Sequence, residues 1–235
     1  MEAQAWLPRP GSNWRQWRER ARDPALSVML GVQLLLVFVA GPGATIGYPG
    51  SRLAVQLLLL GFAFLVLIVS RGASAAVVAA LAMLLLLAGT VPSSAALPDV
   101  TPSLAHIGTI AGSIVVTIAV GRAVLAPGVV TRHRVIGAVV LYLNFGLVFG
   151  ATYRLLRDFV PTCLSGIPEG IGSWESTGTI LYFSFVTLTT TGYGDIAPVH
   201  PIARSLANLG GIIGQLYPAT LLARLITLEL EGRRE

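Results

Sequence analysis

Apolar residues fall into long runs along this chain, broken by short polar or Gly- and Pro-containing stretches. Measured against the roughly 20 residues that cross a hydrocarbon core, the runs give candidate spans at Pro24 to Gly41, Leu53 to Ser70, Ala73 to Val91 and Leu104 to Ala126. Two more follow at Val135 to Tyr153 and Ile202 to Leu228, separated by about 48 less uniformly apolar residues. A lone apolar segment in lipid can satisfy its backbone groups only internally, so each span is expected to be a helix. The pattern predicts an all-α membrane protein with six transmembrane helices. The stretches Pro42 to Ser51 and Val91 to Ser103, rich in Gly and Pro or in Pro and Ser, read as short turns between spans.

Composition agrees with the pattern and removes the soluble classes. Hydrophobic residues make up 54% of the 235 and charged residues only 11%, with a mean hydropathy of +0.75. The net charge of +5 comes from 16 arginines and no lysine. Five of them, Arg9, Arg15, Arg18, Arg20 and Arg22, crowd the N-terminal segment while the apolar middle is nearly free of charge, so the excess marks a membrane and not a nucleic-acid partner.

Six spans put both termini on one side. Arg71, Arg122, Arg132, Arg134, Arg224, Arg233 and Arg234 join the five N-terminal arginines there, against Arg52, Arg154, Arg157 and Arg204 on the other, twelve to four. The positive-inside rule makes the termini cytoplasmic. Ser12 to Asp23, with Ser12 as N-cap, Trp14 and Trp17 three apart and four arginines, suits a helix in the inner interface that contacts lipid; a solvated basic tail is the other reading. The long basic stretch with its tryptophans argues against a cleaved signal peptide.

The expected organisation is thus a basic interfacial segment at 1–23, four helices at 24–126, a cytoplasmic linker at 127–134, an outer helix, turret, pore segment and inner helix at 135–228, and a short tail at 229–235. Cys163, the only cysteine, excludes an intrachain disulfide; it is expected as a free thiol in the turret, with pairing between subunits the alternative.

The informative stretch is Ser173 to Pro198, SWESTGTILYFSFVTLTTTGYGDIAP, between the fifth and sixth spans. Trp174 to Leu188 is too short to cross, and Glu175 stands in its first turn, where a helix N-terminus favours negative charge. It reads as a re-entrant helix whose negative end points into the membrane, where a dehydrating cation gains from it. The chain must then return as non-helical backbone at membrane depth, which is tolerated only where it is buried or lines a water-filled path. Glycine at alternate positions, Gly192 and Gly194, opens conformations closed to residues with a Cβ, so successive carbonyls can face one axis.

At Thr190-Thr191-Gly192-Tyr193-Gly194-Asp195 the sequence resembles the filter of the tetrameric potassium-channel family, in the six-span, single-pore-loop bacterial form. The resemblance implies a homotetramer in a bacterial plasma membrane, with potassium ions in the filter, ligated through Thr190, Thr191, Gly192 and Tyr193, and no other cofactor. It implies that Gly194 belongs with these to the ion-binding filter, that Tyr193 braces the filter from outside the pore, and that Asp195 is hydrogen-bonded toward the pore helix, where Tyr182 takes the place of an aromatic partner. Thr191 stands where Val is commonest, and Val186 where some bacterial relatives carry Glu. One filter per chain argues for four chains around one pore and against a transporter with four degraded repeats in one chain. A non-selective cation channel and a non-conducting sensor or interaction subunit are the alternatives.

Gly214 lies 19 residues beyond Asp195, where many family members have a flexible glycine, and Pro218 removes one helical hydrogen bond. These two are candidate gating residues; close packing of small residues is the equal alternative for the glycine. The fourth span carries only Arg122 as a full charge, at its inner end, in place of the regular arginines of voltage sensors, so opening is expected to be insensitive to voltage. Only seven residues follow Leu228, and no cytoplasmic regulatory domain is expected. Lipid, tension, pH through His106, His133 or His200, or a separate regulatory protein remain as stimuli. Asn144, Asn208 and Gln215 read as interhelical hydrogen-bond partners, and Arg204 as an anchor of the outer helix end.

Overall fold

A computed structural model describes residues 25–48, 50–69, 77, 80, 81, 83, 84, 100–125, 132–168 and 176–232. In chain order the elements are α1 (Ala25–Thr45), α2 (Ser51–Val69), α3 (Val100–Val124), α4 (Arg132–Phe159), β1 (Leu164–Ser165), α5 (Ser176–Leu188), β2 (Ala197–Pro198) and α6 (Pro201–Gly232). Among the described residues four segments are long and apolar enough to cross a membrane: Ala25–Thr45, Ser103–Arg122, Arg132–Phe159 and Pro201–Arg224. The chain is a helical membrane protein. The expected second span falls on α2, whose 19 residues include the apolar stretch Leu53–Phe62. The expected third span, Ala73 to Val91, lies outside the described residues except for helical positions 77, 80, 81, 83 and 84. Outside them too are the basic segment before residue 25, Trp174 and Glu175.

One boundary departs from composition for a clear reason. The Gly and Pro content of Pro42 to Ser51 predicts a loop, yet the helix runs on through Thr45. Leu36–Ala40 winds as a π-turn that closes with the Gly41 N–H donating to the Leu36 carbonyl, and α-helix resumes with proline in its first turn. There the missing N–H of Pro42 removes nothing the renewed helix needs. The chain leaves the helix at Gly47 and turns at Gly50, with φ of +68° and +85°. At α4 the helix overruns its apolar core at both ends, starting at Arg132 and not Val135 and ending at Phe159 and not Tyr153. The charged residues there are compatible with helix once their tips reach the interface.

Helix α4 is the centre of the molecule. Its buried positions run almost all round the helix between Gly137 and Tyr153, as expected of a helix enclosed by others. Toward its N-terminal half it shares a core with α1, α2 and α3, in which Met29, Phe62, Val116, Val120 and Val140 are buried. Gly137 lets α3 come close: a Cβ there would lie 2.9 Å from the Val124 side chain. Toward its C-terminal half α4 packs on the short helix α5 and the start of α6 through Phe149, Tyr153, Ile180, Phe183 and Leu188. A third cluster, Leu36, Leu147 and Leu181, joins α1 to both.

The crossing of α1 and α5 is as close as two helices can come. A Cβ on Gly178 would run into the Gly41 carbonyl oxygen and the Thr45 hydroxyl, and one on Gly41 would lie 3.3 Å from the Leu181 side chain. Polar ties add to the packing. Asn144 Nδ2 of α4 donates at 2.9 Å both to the Ser113 carbonyl and to Thr117 Oγ1 of α3, and Tyr217 of α6 donates to the Ala138 carbonyl of α4 at 2.9 Å.

Candidate functional site

Helix α5 spans 13 residues, Ser176–Leu188, less than half the length of α4, and ends inside the fold with Leu188 fully buried. Its length fits the re-entrant helix that Trp174 to Leu188 predicts, with the first two positions outside the described residues. Beyond Leu188 the backbone stops being regular but keeps its amides occupied. Thr190 N–H donates to the Thr187 carbonyl at 3.0 Å, Thr191 N–H to the Val186 carbonyl at 2.9 Å, and Gly192 N–H reaches the same Val186 oxygen at 3.4 Å. Thr189 Oγ1 donates to the Phe185 carbonyl at 2.8 Å and lies 2.9 Å from Thr191 Oγ1.

The dihedral angles alternate. Thr190, Gly192 and Gly194 have φ of +56°, +58° and +82°, while Thr191 and Tyr193 between them do not. Two of the three left-handed positions are glycine, as the sterics of Cβ require; Thr190 is the only non-glycine residue with positive φ among the described residues. Such alternation turns consecutive peptide planes the same way, so that carbonyls follow one another along a line. With the amides turned back onto α5, no N–H among the described residues is bonded to the carbonyls of residues 190–194. Residues 189–195 are all exposed in the single chain. The result is a row of backbone carbonyls, 190–194, without N–H partners among the described residues.

The segment is braced from two directions. Tyr193 lies against Tyr182 of α5, with ring centroids 6.5 Å apart and planes inclined by 2°. The Tyr182 side chain also lies within reach of Asp195. On the other side β1 and β2 pair antiparallel, Leu164 with Pro198 and Ser165 with Ala197. The Cys163 carbonyl accepts from Val199 N–H at 3.0 Å and His200 N–H at 3.3 Å. Gly166, at φ +81°, packs so tightly that a Cβ would collide with the Asp195 carbonyl oxygen. Arg204 Nε donates to the Pro198 carbonyl at 3.2 Å, which ties the start of α6 to the same strand.

Residues 137–230, from the first turn of α4 to near the end of α6, match a family model described as ion channel. Across that stretch the chain is similar to ion channels. The channel match covers the carbonyl row, both braces and the helices that carry them, and points to transport and not to an enzyme. No curated protein and no solved structure matches the chain.

The matched segment also holds other residues that the sequence singles out. Gly214 lies on α6 against the end of α5, where a Cβ would collide with the Leu188 carbonyl oxygen. Pro218 lies one turn further along an unbroken α6. Because proline cannot donate to the carbonyl four residues back, Gly214 is also the residue whose carbonyl loses its helical partner. Asn208 and Gln215 are exposed in the single chain. Cys163 is a free thiol, fully buried beneath the turret in the core with Tyr153 and Ile196, which removes the surface placement that pairing between subunits would need. Burial pushes its thiol pKa up from the ordinary value.

Sequence reasoning missed one polar cluster at the C-terminal end of α4. His106 Nδ1 of α3 is 2.9 Å from Asp158 Oδ2 of α4, and Ser103 Oγ donates to the same oxygen at 2.9 Å. No spacing signals a pair 52 residues apart in different spans.

Proposed function

We propose that the chain is one protomer of a homotetrameric, potassium-selective channel that conducts passively through Thr190 to Asp195. Helices α4 to α6 then form the pore domain and α1 to α3 part of a surrounding layer, in a plasma membrane with both termini cytoplasmic. The observation that carries this reading is the left-handed backbone at Thr190, Gly192 and Gly194, with the amides of residues 190–192 turned back toward α5. Four such segments around an axis stack carbonyl rings that replace the hydration shell of potassium. The Thr190 hydroxyl closes the innermost ring. Ions enter as cargo, and the protein contributes fixed dipoles aimed at them.

Bi-ionic reversal potentials on the reconstituted protein test selectivity. A strongly shifted reversal with potassium against sodium is expected, and a reversal near zero makes this a non-selective cation channel. Gly192→Ala forces a Cβ into a left-handed conformation at about 1–2 kcal/mol per copy, or about 4–8 kcal/mol over four copies, and should abolish selectivity. Voltage insensitivity follows from the fourth span. Between Ser103 and Arg122 the arginine at the end is its only full charge, and a charge moved fully through the field supplies only about 2.3 kcal/mol per 100 mV. A steep sigmoidal conductance in symmetric potassium would refute it.

A further inference from the structure

A cavity of about 200 Å³ opens where α3, the C-terminal end of α4 and the N-terminal end of α5 meet. Its wall includes His106, Arg154, Arg157, Asp158 and Ser176. Among the described residues of the wall the charges do not cancel: Asp158 is their single carboxylate, and its Oδ2 is already held by His106 and Ser103. Neither Arg154 nor Arg157 makes a salt bridge or a hydrogen bond among the described residues, although both are largely enclosed. Arg154 also lines the neighbouring cavity beside Thr177 and Leu181, so its guanidinium stands between the two. Ser176 adds the first turn of α5, whose partial charge is positive.

Two partly enclosed guanidinium groups, with no hydrogen bond among the described residues and only the Asp158 charge near Arg154 to offset them, favour an anion, because a poorly compensated charge away from water is costly. Guanidinium pairs present forked donors that suit the oxygens of a phosphate. Depth favours the same ligand. The 28 residues of α4 extend about 42 Å, against roughly 30 Å of hydrocarbon, so the turn holding Arg154 and Arg157 reaches the headgroup level.

We infer that this cavity is a phosphate-binding site, held by Arg154 and Arg157 with Ser176 at its wall. The phosphate belongs either to a lipid headgroup or to a free anion. Bound there, it would bridge the C-terminal end of α4 to the base of the helix that carries the filter.

The test reads binding without any ionic current, so it stands apart from the potassium assignment. The full chain, purified in detergent, is exposed to phosphatidylglycerol or to diacylglycerol of the same acyl chains, and bound lipid per protomer is counted by native mass spectrometry. Inorganic phosphate is titrated separately by calorimetry. Phosphatidylglycerol should be retained, diacylglycerol should not, and the double variant Arg154→Gln/Arg157→Gln should bind at least about tenfold more weakly. Arg154→Lys/Arg157→Lys, which keeps the charge, should retain part of the binding and reports on folding. Arginine-dependent binding of inorganic phosphate alone would assign the site to a soluble anion. The inference is overturned if neither phosphate species binds or if the double glutamine variant binds as well as the parent. Binding that emerges only after Glu169→Gln or Glu175→Gln would likewise overturn it, by giving the cavity to the chain's own carboxylates.

Discussion

The rings of Tyr182 and Tyr193 lie parallel, 6.5 Å apart, so the outer half of the carbonyl row rests on a residue of the helix that precedes it. The same Tyr182 reaches Asp195 through its side chain, which places both ends of this short brace on one aromatic residue. Tyr182→Phe separates the two contributions by keeping the ring and removing the hydroxyl. Assembly and selectivity should be preserved, while conducting periods in single-channel recordings shorten. Tyr182→Ala should lose both contacts and leave few conducting channels.

Gly166 offers a sharper perturbation, because its φ of +81° and its contact with the Asp195 carbonyl each exclude a side chain. Gly166→Ala should push the β1 strand off the exit of the row and speed the decay of current during sustained activity. On the proposed potassium-filter reading, high external potassium should slow that decay. A defect confined to folding would not respond to the ion.

Asn144 is tied to α3 by two hydrogen bonds at membrane depth. Asn144→Ala should lower the stability of the purified protein by about 0.6–2 kcal/mol, visible as a lower thermal midpoint. Selectivity should be unchanged, since Asn144 lies outside the carbonyl row.

Cys163 should react slowly with maleimide at neutral pH. Burial both hides the sulfur and raises its pKa, so the thiolate fraction falls below that of an exposed cysteine. Labelling should accelerate as pH rises toward that raised value, and unfolding in detergent should restore ordinary reactivity. Rapid labelling of the native protein at neutral pH would contradict the buried placement.

What could be read from residue order differs by site. The left-handed backbone at Gly192 and Gly194 was legible because glycine answers a backbone requirement, and such requirements are written locally. Helix α5 was legible from its length and apolar run. The turret strand was not: two residues, Leu164 and Ser165, are too few to show alternation, and their partners lie more than 30 positions away. The His106 and Asp158 pair was hidden for the same reason, since proximity between distant spans leaves no periodic trace. At Pro42 the sequence misled, because a proline that usually ends a helix stands here in the first turn of a resumed one. For Gly214, packing against Leu188 is now visible, and the freed carbonyl caused by Pro218 keeps flexing available to it.

Because Gly178 meets the Gly41 backbone and the Thr45 hydroxyl with no room for a side chain of its own, α1 and α5 move against one another only as a close-fitting pair. The spacing leaves no lubricating layer of rotamers to absorb a small displacement. Tilt of α1, whether from bilayer thickness or lateral pressure, is therefore delivered to α5 as rigid motion. A helix more than 130 residues earlier in the chain is thus among the nearest mechanical neighbours of α5.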